Sequence, residues 1–285
     1  MEDSGMIWKV KGGTLECGGR TLVMGILNVT PDSFSDGGMY LAPESAVARG
    51  LQMIAEGADI LDVGGESSRP GAAPVSEEEE LKRVVPVVAR LAGGKGALVS
   101  VDTCKARVAR EAVGAGASII NDISAMRFDP AMSGVAAETG AGVILMHMQG
   151  TPRDMQENPS YTDLFGEITA FLRGRMDAVR SAGVAEEAVV LDPGIGFGKT
   201  VEHNLEIIRG LGRFKPLGRP LLAGPSRKSF IGAVLDLPAG ERLEGTAAAV
   251  AMAVANGADI VRVHDVKEMI RAARMADALA GRVQR

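Results

Sequence analysis

The chain has 285 residues, a formal net charge of -5 and two cysteines. A chain of this length can form one α/β barrel or two smaller domains, and it can bury roughly 75% of its unfolded surface without disulfides. The acidic balance argues against a general nucleic-acid surface. Cys17 and Cys104 lack the spacing of a metal site and are too few for a disulfide framework.

The sequence also lacks the patterns that direct a chain into or across a membrane. Its first residues are too acidic for a secretory signal. The longest apolar helical run, 246–255, is shorter than the ~18 residues that a membrane span needs. No Pro- or Ser-rich linker divides the chain. We therefore expect a single cytoplasmic domain over residues 1–285, with neither nucleic acid nor membrane as a partner.

The first predicted element is a β-hairpin over residues 7–17, with Gly12 and Gly13 at its centre. After it, short runs of β-branched and aliphatic residues, typical of strands buried on both faces, alternate with helical stretches. The eight predicted strands span residues 21–29, 59–64, 98–101, 118–123, 142–146, 189–191, 220–223 and 259–263. The predicted helices between them include residues 43–56, 76–91, 105–113 and 161–182.

A repeated unit indicates how these elements are arranged. Gly-Ala followed by aliphatic residues recurs from Gly57, Gly116, Gly140 and Gly257, and each glycine can end a helix before the next strand begins. A closed ring of such units predicts a (β/α)8 TIM barrel, an α/β fold, with the hairpin capping its closed bottom. An open doubly wound sheet is the alternative architecture. The glycine-rich dinucleotide fingerprint is missing after the first strand, which counts against that alternative.

Nearly every predicted strand ends in a residue that can take part in chemistry. These residues are Asp62, Asp102, Asn121, His147, Asp192, Arg262 and His264. A parallel barrel places its active site at the carboxyl ends of its strands, so we expect these side chains to meet there. The polar loops 24–38 and 64–76 are also longer than the about 2–6 residues of a typical connection, which indicates a function.

The loop after the seventh predicted strand has the composition of an anion site. Ser226, Arg227, Lys228 and Ser229 precede an apolar helical run, and backbone N–H groups at a helix start attract anions. A solvated basic turn is the alternative interpretation. The stretch DPGIGFGKT ends like a P-loop, but it has Pro193 where that motif needs glycine, so we reject a nucleotide triphosphate site.

Histidine and amide side chains give weaker signals. His147 follows a strand and is equally compatible with a site role and with packing, whereas His203 is expected to have no function. No histidine pattern of a zinc site is present. Asn28, at the end of the first barrel strand, could hold Mg²⁺ together with a ligand diphosphate, because Mg²⁺ prefers oxygen ligands and substrate phosphates.

Taken together, eight stretches resemble the dihydropteroate synthase family. They are MGILNVTPDSFSDGG, DILDVGGESSRPG, SVDTCK, IINDIS, MHMQGTPRDMQ, LDPGIGFGKT, SRKSFIG and RVHDV, in family order from Met24 to Val266. The resemblance implies a (β/α)8 fold and a transferase of folate biosynthesis. That enzyme joins p-aminobenzoate to (hydroxymethyl)dihydropterin pyrophosphate and releases pyrophosphate. The resemblance also implies Mg²⁺ as cofactor, sulfonamides as inhibitors and a homodimer through outer helices.

The resemblance further implies roles for individual residues. Those implied to bind the pterin are Asp102, Asn121, Asp192 and Lys228. Those implied to hold the pyrophosphate and Mg²⁺ are Asn28, Arg262 and His264, with Asn28 as the protein's metal ligand. Those implied to surround p-aminobenzoate are Phe34, Ser68, Arg69, Pro70 and Ser229. Further substrate-binding residues are Asp62, Met146 and Phe197. The implied catalytic residues are Asp36, Asp102, Lys228, Arg262 and His264.

Two departures and three rival functions accompany this resemblance. Ser68 stands where the family usually has Thr, and Pro225 is unexpected in the seventh loop. A pterin-binding methyltransferase acting with a corrinoid protein would share the fold and the pterin pocket, but it would not need the SRKS stretch or Arg262. A Schiff-base aldolase would use Lys228, although such a lysine should lie within a strand. A non-catalytic binding protein is the third rival.

Overall fold

The computed structural model describes residues 6–30, 42–67, 71–94 and 96–282. The strands within these ranges are β1 Met6–Val10, β2 Gly13–Cys17, β3 Leu22–Asn28, β4 Ile60–Gly64, β5 Leu98–Asp102, β6 Ile119–Asp122, β7 Gly142–Met146, β8 Val189–Asp192, β9 Leu222–Ala223 and β10 Ile260–Val263. The α-helices are α1 Ala42–Glu56, α2 Glu77–Ala92, α3 Ala106–Gly114, α4 Met132–Thr139, α5 Leu164–Ser181, α6 Val201–Arg209, α7 Ser229–Leu235, α8 Leu243–Ala255 and α9 Val266–Leu279.

Strands β3 to β10 form one parallel sheet in which neighbours along the chain are also neighbours in space. The first of them, β3, pairs with the last, β10, from Leu22 opposite Ile260 onward. A single parallel bridge between Leu191 and Leu221 joins β8 to β9 and completes the ring. Helices separate consecutive strands along the chain. This arrangement confirms the predicted (β/α)8 barrel and excludes the open doubly wound sheet.

The amino-terminal hairpin caps one end of the barrel, as predicted. Strands β1 and β2 pair from Met6 opposite Cys17 to Val10 opposite Gly13. Trp8 is completely buried, and its Nε1–H donates a hydrogen bond to the Ala188 carbonyl at 2.9 Å. Its apolar neighbours come from the amino-terminal halves of the barrel strands and include Leu22, Met24, Ile60, Ile119, Ile144, Val190, Leu222 and Ile260. The opposite, carboxyl end of the strands therefore remains as the place for a site.

The predicted helix ends differ from the observed ends by a few residues, and the caps explain why. Asp163, predicted to lie inside a helix, instead caps α5 by accepting the Gly166 N–H, so the helix begins at Leu164. Ser76 caps α2 in the same way by accepting the Glu79 N–H. Across the described part of the chain, the helices are all too short or too polar to cross a membrane.

Candidate functional site

Five of the predicted site residues lie at the carboxyl ends of barrel strands, and three of them, Asn28, Asp102 and Asn121, share one level of the register. The strand register places Asn28 opposite Gly64, Gly64 opposite Asp102, and Asp102 opposite Asn121. On the far side, Met146 lies opposite Asp192. Because parallel strands in register end together, these residues converge on one rim, as the sequence predicts.

Arg262 lies inside this rim, paired with two carboxylates. Its Nε donates to Asp62 Oδ2 at 2.6 Å, and its Nη2 donates to Asp102 Oδ2 at 2.6 Å. Asn121 Nδ2 donates to the same Asp62 oxygen at 2.8 Å. Asp62 is fully buried, and within the described ranges its Oδ1 has no hydrogen-bond partner. The guanidinium thus neutralises one of two adjacent buried charges, and one acceptor oxygen is left below the rim.

Burial and pairing shift the pKa values of these groups in opposite directions. Burial lowers the pKa of Arg262, but the charges of Asp62 and Asp102 outweigh it and hold the pKa above its ordinary range. Burial raises the pKa of Asp102 to about 7, although Arg262 opposes the shift. Asp102 can therefore hold or release a proton near neutral pH, as groups at functional sites often do.

Asp192 and Lys228, whose charges interact without a direct ion pair in the described ranges, form the other wall of the rim. Asp192 is buried, and its Oδ1 accepts the Gly194 N–H at 2.7 Å. Burial raises the pKa of Asp192, while the Lys228 ammonium lowers it. Burial also lowers the pKa of Lys228 to about 7, opposed by Asp192. The Lys228 Nζ donates to the Ile195 carbonyl and lies 4.2 Å from the centre of the Phe197 ring.

Apolar side chains line the rim beside this pair. Phe197 is buried with Met146, Met148 and Met155 in one small cluster. Gly196 allows the approach of Lys228 to this cluster, because a Cβ at that position would lie 2.4 Å from the lysine Cδ. A flat ring bound here could pack its apolar face against this cluster while its polar edge forms hydrogen bonds with the carboxylates.

The loop after β9 contacts the residues that follow β10 at two adjacent places. Ser226 Oγ lies 3.0 Å from His264 Nδ1, and Arg227 Nε donates to Asp265 Oδ2 at 2.9 Å. Ser229 is exposed at the start of α7. The basic turn therefore differs from the predicted anion site, in which Arg227 and Lys228 act together. Arg227 instead forms an ion pair with Asp265, and Lys228 turns toward the Phe197 ring.

Sequence reasoning missed a buried lysine that joins the fifth and sixth loops. Lys199 Nζ lies 3.0 Å from His147 Nδ1 and donates to the Phe197 carbonyl at 2.9 Å. Burial lowers the pKa of Lys199 to about 7. Burial, together with the charge of Lys199, lowers the pKa of His147 to about 2, so this histidine stays neutral. Lys199 is the lysine of the GFGK stretch, which was considered only as part of a P-loop and was set aside when that motif was rejected.

A second missed feature anchors the second loop. Lys105 Nζ pairs with both Glu66 and the buried Glu80 of α2. Glu66 Oε1 also accepts the Val75 N–H at 3.3 Å. These contacts fix both ends of the stretch between residues 66 and 75. The predicted site residues Phe34, Asp36, Ser68, Arg69 and Pro70 lie outside the described residues.

Comparisons with protein families, with curated proteins and with solved structures agree on one family. A family model described as "Pterin binding enzyme" matches residues 24–264. The dihydropteroate synthase of Synechocystis sp. is 50% identical over 263 residues, which are 92% of this chain and 91% of the relative. The crystal structure of the Yersinia pestis dihydropteroate synthase with a sulfonamide drug complex matches with a TM-score of 0.91 and 46% identity, covering 97% of this chain and 100% of that chain. A Xanthomonas albilineans dihydropteroate synthase with 4-aminobenzoic acid matches with a TM-score of 0.90 and 43% identity, covering 96% and 98%.

Proposed function

The chain belongs to the pterin-binding enzyme family and is a dihydropteroate synthase of folate biosynthesis, and we propose how its residues perform the transfer. This transferase joins (hydroxymethyl)dihydropterin pyrophosphate to p-aminobenzoate and releases dihydropteroate and pyrophosphate. The observation that carries the proposal is the convergence of Asp62, Asp102, Asn121, Asp192 and Arg262 on one rim. The relatives favour this activity over the methyltransferase and the lysine aldolase.

The pterin lies in the buried part of the rim, with its polar edge against Asp192 and Asn121. One ionised carboxylate can accept two N–H bonds from the guanidine-like edge of a pterin. Asn121 uses its amide nitrogen on Asp62, so it presents its carbonyl oxygen, an acceptor, to the ligand. Asp102 and Lys228 flank the ring, and Met146 and Phe197 supply the apolar face. Unpaired polar groups would reject a ring that lacks the matching donors.

The departing pyrophosphate meets Asn28, Arg262 and His264 at the rim. Within the described residues, no cluster of three or more carboxylate, histidine or cysteine side chains could cage a metal ion by itself. The single amide oxygen of Asn28 fits Mg²⁺, which takes oxygen ligands largely from substrate phosphates and water. When bound there, Mg²⁺ would neutralise charge on the pyrophosphate.

p-Aminobenzoate binds at the mouth of the rim. Ser229, exposed at the start of α7, donates a hydrogen bond from its hydroxyl to the carboxylate, beside the first N–H groups of the helix. Phe34, Ser68, Arg69 and Pro70 surround its ring. Sulfonamides, which resemble p-aminobenzoate, compete for this place, and Ser68 in place of the family's usual Thr alters the packing against them.

The chemistry is a dissociative displacement that needs no nucleophilic side chain. The bond between the methylene carbon and the pyrophosphate oxygen breaks, and its electron pair leaves with the pyrophosphate. The positive charge delocalises over the pterin, with Asp36 and the buried carboxylates near it. The aryl amine then attacks the methylene carbon and loses one proton. Because this amine is weakly basic, it is unprotonated at neutral pH and requires little activation.

Pyrophosphate release with both substrates tests the proposed function. We expect rapid release only when p-aminobenzoate and Mg²⁺ are both present, since the amine consumes the cation and the metal stabilises the leaving group. A coupled pyrophosphate assay measures this, with chelation by EDTA followed by Mg²⁺ readdition as the control. Equal rates in EDTA would exclude the Mg²⁺ role, and the absence of amine-dependent release would exclude the transferase itself.

We also propose that two copies pair through the apolar groove between α7 and α8. Val234 of α7 and Met252 of α8 are about half exposed beside Phe230 and Ile231, and exposed apolar patches of this kind often mark interfaces. Sedimentation velocity should give a dimer for the natural chain and a monomer for Val234→Glu. Leu51→Glu, which changes an equally exposed residue of α1, should remain a dimer. A monomeric natural chain would exclude the pairing.

The remaining assignments concern the compartment and the domain. Cys17 and Cys104 are free thiols, which is usual in a reducing compartment and supports a cytoplasmic location. Trp8 of the hairpin packs into the same apolar cluster as the barrel strands. This shared cluster supports treating residues 1–285 as one domain.

A further inference from the structure

Ser226 and His264 form a contact that the proposed reaction does not yet use. Ser226 lies in the loop after β9 and is buried. Its Oγ accepts the backbone N–H of His264 at 3.2 Å and also lies 3.0 Å from His264 Nδ1. Two contacts from one hydroxyl to one residue constrain both the position and the protonation of the imidazole ring.

The proton count of the hydroxyl decides which ring nitrogen carries hydrogen. A serine hydroxyl has one proton to donate and two lone pairs. One lone pair already accepts the His264 backbone N–H. If Nδ1 carried hydrogen, the serine proton would need another acceptor, and the described ranges provide none for this buried hydroxyl. If Nδ1 is unprotonated, it accepts the serine proton, and the buried hydroxyl has a partner for its proton.

The carboxylate of Asp265, the next residue in the chain, does not change this assignment of the ring proton. A carboxylate beside a histidine usually accepts the Nδ1–H and so selects the other tautomer. Here the carboxylate of Asp265 is held by Arg227, through Nε at 2.9 Å and through a second, shorter contact from the same guanidinium. Arg227 is itself fixed, because its N–H donates to Thr246 Oγ1 at 3.1 Å and its carbonyl accepts from Arg242 at 3.1 Å.

We propose that Ser226 is a positioning residue that holds neutral His264 as the Nε2–H tautomer, so that Nε2 donates a hydrogen bond to the pyrophosphate. The inference rests on the proposed function, which places His264 at the leaving group. Ser226 itself does not touch the substrate. Its effect is to orient the Nε2–H group of His264 toward the pyrophosphate and to keep Nε2 protonated at a pH where the imidazole is uncharged.

Nitrogen NMR of histidine rings tests the tautomer without any substrate. The chain has three histidines, so ¹⁵N-histidine labelling gives three ring systems, and loss of one set in His264→Asn assigns the residue. In the natural protein at mildly alkaline pH we expect unprotonated Nδ1 and protonated Nε2. Ser226→Ala should give a mixture, and Ser226→Thr should restore the single tautomer. A natural protein with protonated Nδ1 overturns the inference and leaves the assigned reaction intact.

Kinetics test the consequence for the leaving group. Ser226→Ala should weaken pyrophosphate product inhibition about tenfold, the size of one hydrogen bond to a charged group. The KM for p-aminobenzoate should not change, and Ser226→Thr should recover most of the loss. Ser181→Ala, which removes an exposed hydroxyl that donates to the Asp177 carbonyl on α5, is the control. Equal losses for both substrates would overturn the positioning role, and unchanged pyrophosphate affinity in His264→Asn would show that the site assignment itself had failed.

Discussion

Asp192→Asn is expected to abolish pterin binding while leaving the fold intact. The aspartate carboxylate can accept two charge-assisted hydrogen bonds, whereas an asparagine amide offers one acceptor and one mismatched donor. Each such bond contributes about 1.5–3 kcal/mol, so the affinity should fall by at least about 100-fold. Calorimetric titration with a pterin measures the loss, and unchanged affinity would contradict the assignment of Asp192.

The fold should survive this change because the neighbouring lysine can adjust. The new side-chain oxygen can still accept the Gly194 N–H that Asp192 accepts at 2.7 Å. Lys228 loses its counter-charge, but burial has already lowered its pKa to about 7, so it can release its proton instead of remaining as an unpaired buried charge. Thermal unfolding followed by circular dichroism checks this point. Asp177→Asn, an exposed change on α5, is the matched control for both measurements.

The sequence predicted the barrel and the rim because both follow from local patterns. Buried strands give apolar runs, glycines end the helices, and parallel strands in register bring their last residues together. Asn28, Asp102 and Asn121 could therefore be assigned to one level without coordinates, and the observed register confirms it. The hairpin was predictable for the same reason, since Gly12 lies in its turn and Gly13 begins β2.

The pairing of side chains within the rim could not be predicted in this way. Arg262 binds Asp62 and Asp102, which are far away along the chain, and the choice among nearby carboxylates depends on rotamers and on the width of the barrel. Lys199 presents the same difficulty, because its long side chain turns back to His147. Strand patterns report where a Cα lies, whereas such contacts depend on where a flexible side chain ends.

Arg262→Met is expected to destabilise the fold strongly and in a pH-dependent way. The substitution keeps much of the side-chain volume but leaves Asp62 and Asp102 buried together without their counter-ion. Removing one partner of a buried ion pair costs about 3–5 kcal/mol. Transfer activity should also be lost, because the guanidinium is the proposed partner of the leaving group. Urea unfolding monitored by fluorescence and circular dichroism measures the change in the free energy of unfolding.

The pH dependence has a definite sign. The pKa of Asp102 is about 7 in the folded protein, well above its ordinary 3.8, so the folded state binds more protons than the unfolded state between these values. Stability then falls as the pH rises through this window. Without the Arg262 charge the pKa of Asp102 rises further, so the loss extends above neutral pH. The variant should therefore be much less stable at about pH 8 than at about pH 5.

Two further variants separate this explanation from a simple packing defect. Adding Asp62→Asn to Arg262→Met removes one of the two buried charges, so it should recover part of the stability at high pH and flatten the pH dependence. Arg110→Met breaks the exposed pair of Arg110 with Glu138 and should change the stability by less than about 1 kcal/mol at any pH. If the loss in Arg262→Met were the same at both pH values, and unaffected by Asp62→Asn, the two carboxylates would not depend on Arg262 for their burial. The charged core of the rim would then need another source of compensation.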